Sequence, residues 1–124
     1  MPGPGARRGR LSRSAEFERV YRQGRSHANR HLVVHVFPRG DDAPPRLGLS
    51  VSRKVGGAVE RNRVKRLLRE AFDLEVATLP VGCDLVVVAR PDVRELAERG
   101  GLAGVREVLA EVLARATPGA EQAA

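Results

Sequence analysis

The chain is expected to fold as one small α+β domain, and three observations lead there. Its 124 residues suffice for one hydrophobic core and fall short of two of ordinary size. Apolar residues recur at helical spacing in three stretches, and alternate or run together in three others, so helices and strands are interspersed. The longest aliphatic run, Leu85 to Ala89, is far below the roughly 20 residues that a membrane-spanning helix needs. The opening MPGPGARRGRL carries positive charge with no apolar region behind it, so no secretory signal and a cytoplasmic location are expected.

Residues 1–11, rich in Gly, Pro and Arg, read as a disordered basic arm. Ser12 or Ser14 can cap a first helix, with Glu16 suited to the positive end of its dipole. Phe17, Val20 and Tyr21 repeat at helical spacing there, and Gly24 ends it. HLVVHVF (31–37) is β-branched and aromatic-rich, and RLGLSVS (46–52) alternates. Between them GDDAPP reads as a hairpin loop, so these two strands are expected to pair antiparallel. Leu47, Leu49 and Val51 would then face one side, leaving Gly48, Ser50 and Ser52 as a polar, low-relief surface on the other. After Gly56-Gly57 comes a helix from about Ala58 to Thr78, stopped by Pro80. DLVVVAR (84–90) is apolar on both faces and belongs inside a sheet. A last amphipathic helix, about Leu102 to Ala116, would bury Leu102, Val105, Leu109, Val112, Leu113 and Ala116. Residues 12–116 thus form the domain, and TPGAEQAA (117–124) a frayed tail. A lone Cys83 cannot form an internal disulfide and reads as a small buried hydrophobe.

Charge placement points to a partner. Arg53 to Arg69, RKVGGAVERNRVKRLLR, sets seven Arg or Lys against one Glu in seventeen residues. At 100° per residue, Val64, Leu67, Leu68, Ala71 and Phe72 share a stripe of about 140°, while Asn62, Lys65, Arg66 and Arg69 gather on nearly the opposite side. One face docks on a core and the other is a rod of donors. Arg offers a planar fork that matches phosphate oxygens, so nucleic acid is the leading partner. A helix face charged only for solubility mixes signs, with Glu four residues from Lys or Arg; here Glu60 and Glu70 sit at the ends. The whole chain is polarised the same way. Residues 1–30 hold eight Arg against two Glu, residues 53–69 come to +6, and residues 73–124 hold five Arg against nine acids, within a formal total of +7. Such a field steers a polyanion to one side of the molecule.

Catalytic metal chemistry has no comparable support. Nothing assembles the paired carboxylates with which a protein nuclease holds two divalent ions. Asp41 and Asp42 lie in an expected turn, where Asp is an ordinary turn former. His27, His31 and His35 are spaced as a metal face would be on a helix, but their segment reads as strand and no Cys or carboxylate joins them.

These residues carry a resemblance. LGLSVSRKVGGAVERNRVKRLLREAF (47–72) resembles the signature of the bacterial ribonuclease P protein component, whose hallmark Arg-Asn-Arg stands here as Arg61-Asn62-Arg63. Leu11, Phe17, Tyr21, Gly24, Asn29-Arg30 and HLVVHVF match the family pattern upstream, and DLVVVARP resembles its last strand. Similarity covers roughly residues 11–116. The resemblance implies an αβββαβα order in a single-domain two-layer α/β sandwich of the ribosomal protein S5 domain 2-like class. Its mixed sheet would contain a left-handed βαβ crossover, against the right-handed rule that holds in about 98% of cases. The residue pattern shows three long strands, and the fourth is expected to be short.

Membership would make the chain the protein subunit of ribonuclease P, assisting a catalytic RNA in the magnesium-dependent endonucleolytic removal of the 5′ leader from precursor tRNA. Catalysis and the Mg2+ would belong to the RNA, so no catalytic or metal-binding residue is assigned to this chain. The implied partners are the catalytic RNA and precursor tRNA, with no membrane and no protein partner required. The resemblance assigns Arg53, Lys54, Arg61, Asn62, Arg63, Lys65, Arg66 and Arg69 to the catalytic RNA. It assigns Phe17, Tyr21, Arg22, Arg25, Asn29, Arg30 and His35 to the leader, whose bases would stack on aromatic faces with little sequence preference. Phe17 and Tyr21 have a second reading as plain core packing. His35 stands where the family often has Tyr, which would make stacking there weaker or pH-sensitive. The alternative is a basic RNA-binding module of ribosomal or chaperone type with the same helix and no leader cleft. A protein-only nuclease is disfavoured by the missing carboxylates.

Overall fold

The computed structural model describes residues 10–11 and 14–116. The tail expected over 117–124, the arm over 1–9 and the cap at Ser12 lie outside the described residues. In chain order the elements are α1 (Ser14–Gln23), β1 (Arg25–Ala28), β2 (Leu32–Pro38), β3 (Arg46–Ser50), α2 (Ala58–Glu75), a short 3-10 turn (Val76–Thr78), β4 (Cys83–Ala89) and α3 (Val93–Ala116). The four strands form one mixed sheet in the order β1-β2-β4-β3.

The hairpin expected between β2 and β3 does not form. β4 lies between them, antiparallel to β2 and parallel to β3. The connecting segment must therefore cross two strand spacings, about 9.6 Å, and Arg39 fastens it. Its guanidinium holds both carboxylate oxygens of Asp41, donates to the carbonyls of Ala43, Pro44 and Cys83, and reaches Asp84 at 2.5 Å. Asp41 thus serves a turn, but a turn that carries the chain past β4.

β4 was expected inside the sheet, and there Leu85, Val86 and Val87 are at most 1% exposed. One face of the sheet packs against α2 and α3, burying Leu32, Val34, Leu85 and Val87 beneath the α2 stripe Val64, Leu67, Leu68, Ala71 and Phe72. On the other face α1 brings Val20 over Val86, with Leu11, Phe17 and Phe37 around them. The low-relief surface expected at Gly48 is therefore partly roofed. A Cβ on Gly48 would stand 2.7 Å from Phe17 Cζ, so the missing side chain is what lets the ring lie on the strand. Leu11, placed at the end of the arm by sequence, belongs to the fold: it is buried, and its N–H donates to the Leu47 carbonyl at 2.8 Å.

β1, the short fourth strand, pairs antiparallel with β2 from Arg25↔Val36 to Ala28↔Val33. α3 begins nine residues earlier than the helix expected from Leu102, at Val93, and Val93 and Ala97 are buried. Its helical geometry breaks at Gly101, at φ 57° and ψ −147°. The Gly100-Gly101 pair is a joint between two packed segments.

Gly24 closes α1, its N–H donating to the Val20 carbonyl at 2.8 Å. A Cβ there would lie 2.5 Å from Val20 O and 2.6 Å from Val36 O, both backbone. Gly24→Ala is thus expected to destabilise the fold by about 1–3 kcal/mol through enforced backbone shifts, measured by urea unfolding. An unchanged midpoint would show that α1 can move off β2 at no cost.

Candidate nucleic-acid interface

The basic helix is set at both its entry and its core face. Val51 and Val55 are buried on either side of the turn that carries Arg53 and Lys54. Gly57 starts α2 in extended conformation, and its N–H donates to Glu60 Oε1 at 2.9 Å. With the apolar stripe pinned to the sheet, Arg53, Lys54, Asn62, Arg63 and Arg66 are exposed, while Arg61, Lys65 and Arg69 are half-buried.

What marks this surface is a run of cations without ion pairs. Among the described residues, none of its seven cations is ion-paired, whereas Arg22, Arg30, Arg39, Arg46, Arg99 and Arg106 each hold an Asp or Glu. Arg61 also keeps its Nε buried without a partner, a donor left unsatisfied in the free protein. Burial and, behind it, the charge of Arg10 lower the Arg69 guanidinium from its usual range. An unneutralised cationic rod of this kind gains most from a phosphate backbone, whose condensed counterions it displaces.

A second surface lies on the α1 face. Phe17 and Tyr21 sit one turn apart, ring centroids 6.5 Å from each other, and Tyr21 meets His35 edge-on at 4.9 Å. An open groove of about 440 Å³ runs along α1, lined by Ser14, Phe17, Glu18 and Tyr21. Tyr21 is 42% exposed, and Phe17 is half-buried, so Phe17 serves the core through its contact with Gly48 and still lines the groove. Burial holds the His35 imidazole below its usual range, which favours the neutral ring near pH 7.

The other residues expected with these three do not converge on them. Arg22 is exposed and paired with Glu18 at 3.1 Å. Arg25 stands opposite Val36 in the β1–β2 register, hence on the face that carries α3. Asn29 is spent on structure: its Oδ1 accepts from the N–H groups of His31 and Leu32, and its amide donates to Val108 O and Glu111. Arg30 is paired with Asp92 at 3.2 Å. Ser14 and Glu18 were missed, although 14, 17, 18 and 21 follow the i, i+3, i+4, i+7 spacing of one helix face. Arg19, also missed, lies 5.5 Å over the Phe37 ring.

The model of the Ribonuclease P family matches residues 6–113. The chain belongs to the ribonuclease P protein family. It is 41% identical over 107 residues to the ribonuclease P protein component of Brevibacillus brevis, an alignment covering 86% of this chain and 82% of that protein. Identity to the component from Shouchella clausii is 43% over 107 residues, 85% and 88% of the two chains. The RNase P protein from Thermotoga maritima superposes with a TM-score of 0.78 at 38% identity, covering 87% of this chain and 97% of that one. That from Staphylococcus aureus gives 0.73 at 34%, covering 85% and 97%. A ribonuclease P protein is part of a tRNA-processing ribonucleoprotein, so the partner is RNA. Among the described residues no group of three or more His, Cys, Asp or Glu is placed to hold a metal ion, and no helix is long and apolar enough to cross a membrane.

Proposed function

We propose that this chain is the subunit that docks the catalytic RNA of ribonuclease P on α2 and the turn before it, and guides the 5′ leader of precursor tRNA over α1. The carrying observation is the segregation of cations: all seven from Arg53 to Arg69 lack acid partners among the described residues, while half of the described arginines elsewhere are neutralised in place. In this reading Arg61, Asn62, Arg63, Lys65, Arg66 and Arg69, with Arg53 and Lys54, contact RNA phosphates and 2′-hydroxyls. Phe17, Tyr21 and His35 stack on leader bases, Arg22, Arg25 and Arg30 offer positive charge to leader phosphates away from those rings, and Asn29 fixes the β1–β2 turn. The two surfaces lie on opposite faces of the sheet, so the two RNAs need not compete. The RNA carries out the cleavage and holds the magnesium ions, in the cytoplasm, and the protein screens the repulsion between two polyanions.

Binding of the catalytic RNA across a salt series tests this. Arg61→Ala with Arg63→Ala is expected to weaken binding more than Arg99→Ala with Arg106→Ala, because the second pair is already engaged by Glu95 and Glu75. Each lost phosphate contact should flatten the plot of log K against log salt by about 0.7–0.9. Equal losses and equal slopes would mean that total charge, and not this helix, makes the contact.

A further inference from the structure

The segment ahead of α1 joins the fold along the outer edge of β3. Arg10 bridges Leu47 in parallel register, and the Leu11 N–H donates to the Leu47 carbonyl. Leu11 packs on the α1 face, its Cβ 3.2 Å from where a Cβ on Gly48 would be. Successive side chains of an extended segment point to opposite faces, so Arg10 is turned toward the face covered by α2. The parallel pairing of β3 with β4 makes α2 run back antiparallel to both. Its second half, with Arg69, therefore returns toward the start of β3, where Arg10 sits. Neither side chain has an acid partner among the described residues, and Arg10 bears electrostatically on Arg69. Two guanidiniums on the same face and at the same end of the sheet repel each other in the free protein. One phosphate between them would replace that repulsion with two charge-assisted bonds.

We propose that Arg10 and Arg69 clamp a single backbone phosphate of the catalytic RNA, carrying the α2 contact off the helix and onto the edge of the sheet. The proposal rests on the assignment of α2 to that RNA. It commits to the catalytic RNA rather than the leader because both side chains lie on the α2 side of the sheet, away from Tyr21 and His35.

The test uses the full chain with Arg10→Gln, Arg69→Gln and both together, and measures binding to the ribonuclease P RNA over a salt series, the ratio of precursor to mature tRNA affinity, and the melting temperature of the free protein. Each single change is expected to weaken RNA binding roughly 3- to 10-fold. Sharing one phosphate, the pair should lose less together than the product of the single losses, and the salt slope of the double variant should fall by about one contact, 0.7–0.9. The tRNA ratio should not move, and free Arg10→Gln protein should melt no lower than wild type. Wild-type affinity and slope for Arg10→Gln, while the Arg61, Arg63 double variant binds poorly, would overturn the clamp and leave the α2 reading standing. Wild-type binding by both would sink that reading and the clamp with it. Fully multiplicative losses would mean two separate phosphates, and a changed tRNA ratio would place the phosphate on the substrate; either overturns the proposal.

Discussion

Asp84→Ala is expected to destabilise the fold by about 3–5 kcal/mol, the loss typical when one member of a buried ion pair is removed and its partners stay. Asp84 is fully buried in β4, and its two oxygens accept from Arg46 Nε and Nη2 at 2.9 Å and from Arg39. Arg46 in turn donates to Glu16 of α1 at 3.2 Å. The one carboxylate thus ties together β3, β4, the β2–β3 connection and, through Arg46, the helix that carries Phe17 and Tyr21. Burial by itself would push the Asp84 carboxyl up, but the hydrogen bonds from Arg46 and Arg39 outweigh it and hold the carboxyl below its usual range. A carboxyl lowered on folding contributes stability that is complete above its unfolded value, about 3.9, and is lost as pH falls through the folded one. The stability curves of wild type and Asp84→Asn, which cannot ionise, should therefore converge as pH drops below about 4. Parallel curves in urea titrations through that window would show that Asp84 is not what the acid protonates.

Tyr21→Ala is expected to reduce the holoenzyme's preference for precursor over mature tRNA while leaving assembly with the catalytic RNA nearly intact. One stacked base is worth about 1–3 kcal/mol, or roughly 5- to 150-fold in affinity. Tyr21 is the exposed member of the aromatic set and meets His35 in a T-shaped contact, so truncation removes a stacking surface without opening the core. A melt of the variant near that of wild type qualifies the comparison. If a well-folded variant keeps the wild-type ratio, the leader does not cross α1, and the ribosomal-type module without a leader cleft becomes the better reading.

The parts of the fold legible in sequence were those where one period rules a long stretch. The α2 stripe was visible because five apolar side chains recur at helical spacing against a face of Arg, Lys and Asn, and those five are buried. β4 was visible because an apolar run with no polar alternation fits only a strand covered on both faces. β1 was not, since Arg-Ser-His-Ala has no period; it is held by its pairing with β2 and by Asn29, a tertiary matter. The β2–β3 pairing was misread because turn composition reports where a chain bends and not which strand it bends beside. What decides that is the Arg39–Asp84–Arg46 cluster, joining residues far apart in sequence. The opening segment of α3 was hidden by Gly100 and Gly101, which end a helix in most contexts. At the candidate site, residue types and the cationic face could be read directly. That these cations lack acid partners could not, because pairing depends on which acids the fold brings near.

β4 sits between β2 and β3 although it is the last strand to leave the ribosome. A nascent chain that ends before Cys83 has β1 and β2 to pair with each other, but nothing to join them to β3. Until those seven residues emerge, the apolar stripe of α2 lacks the Leu85 and Val87 surface on which it rests. Synthesis at about 5–20 residues per second thus leaves a positively charged, half-covered helix waiting about 1–3 seconds for its floor. The sheet can be completed only around this final strand, so assembly of the domain waits on Cys83–Ala89 more than on any local element before it.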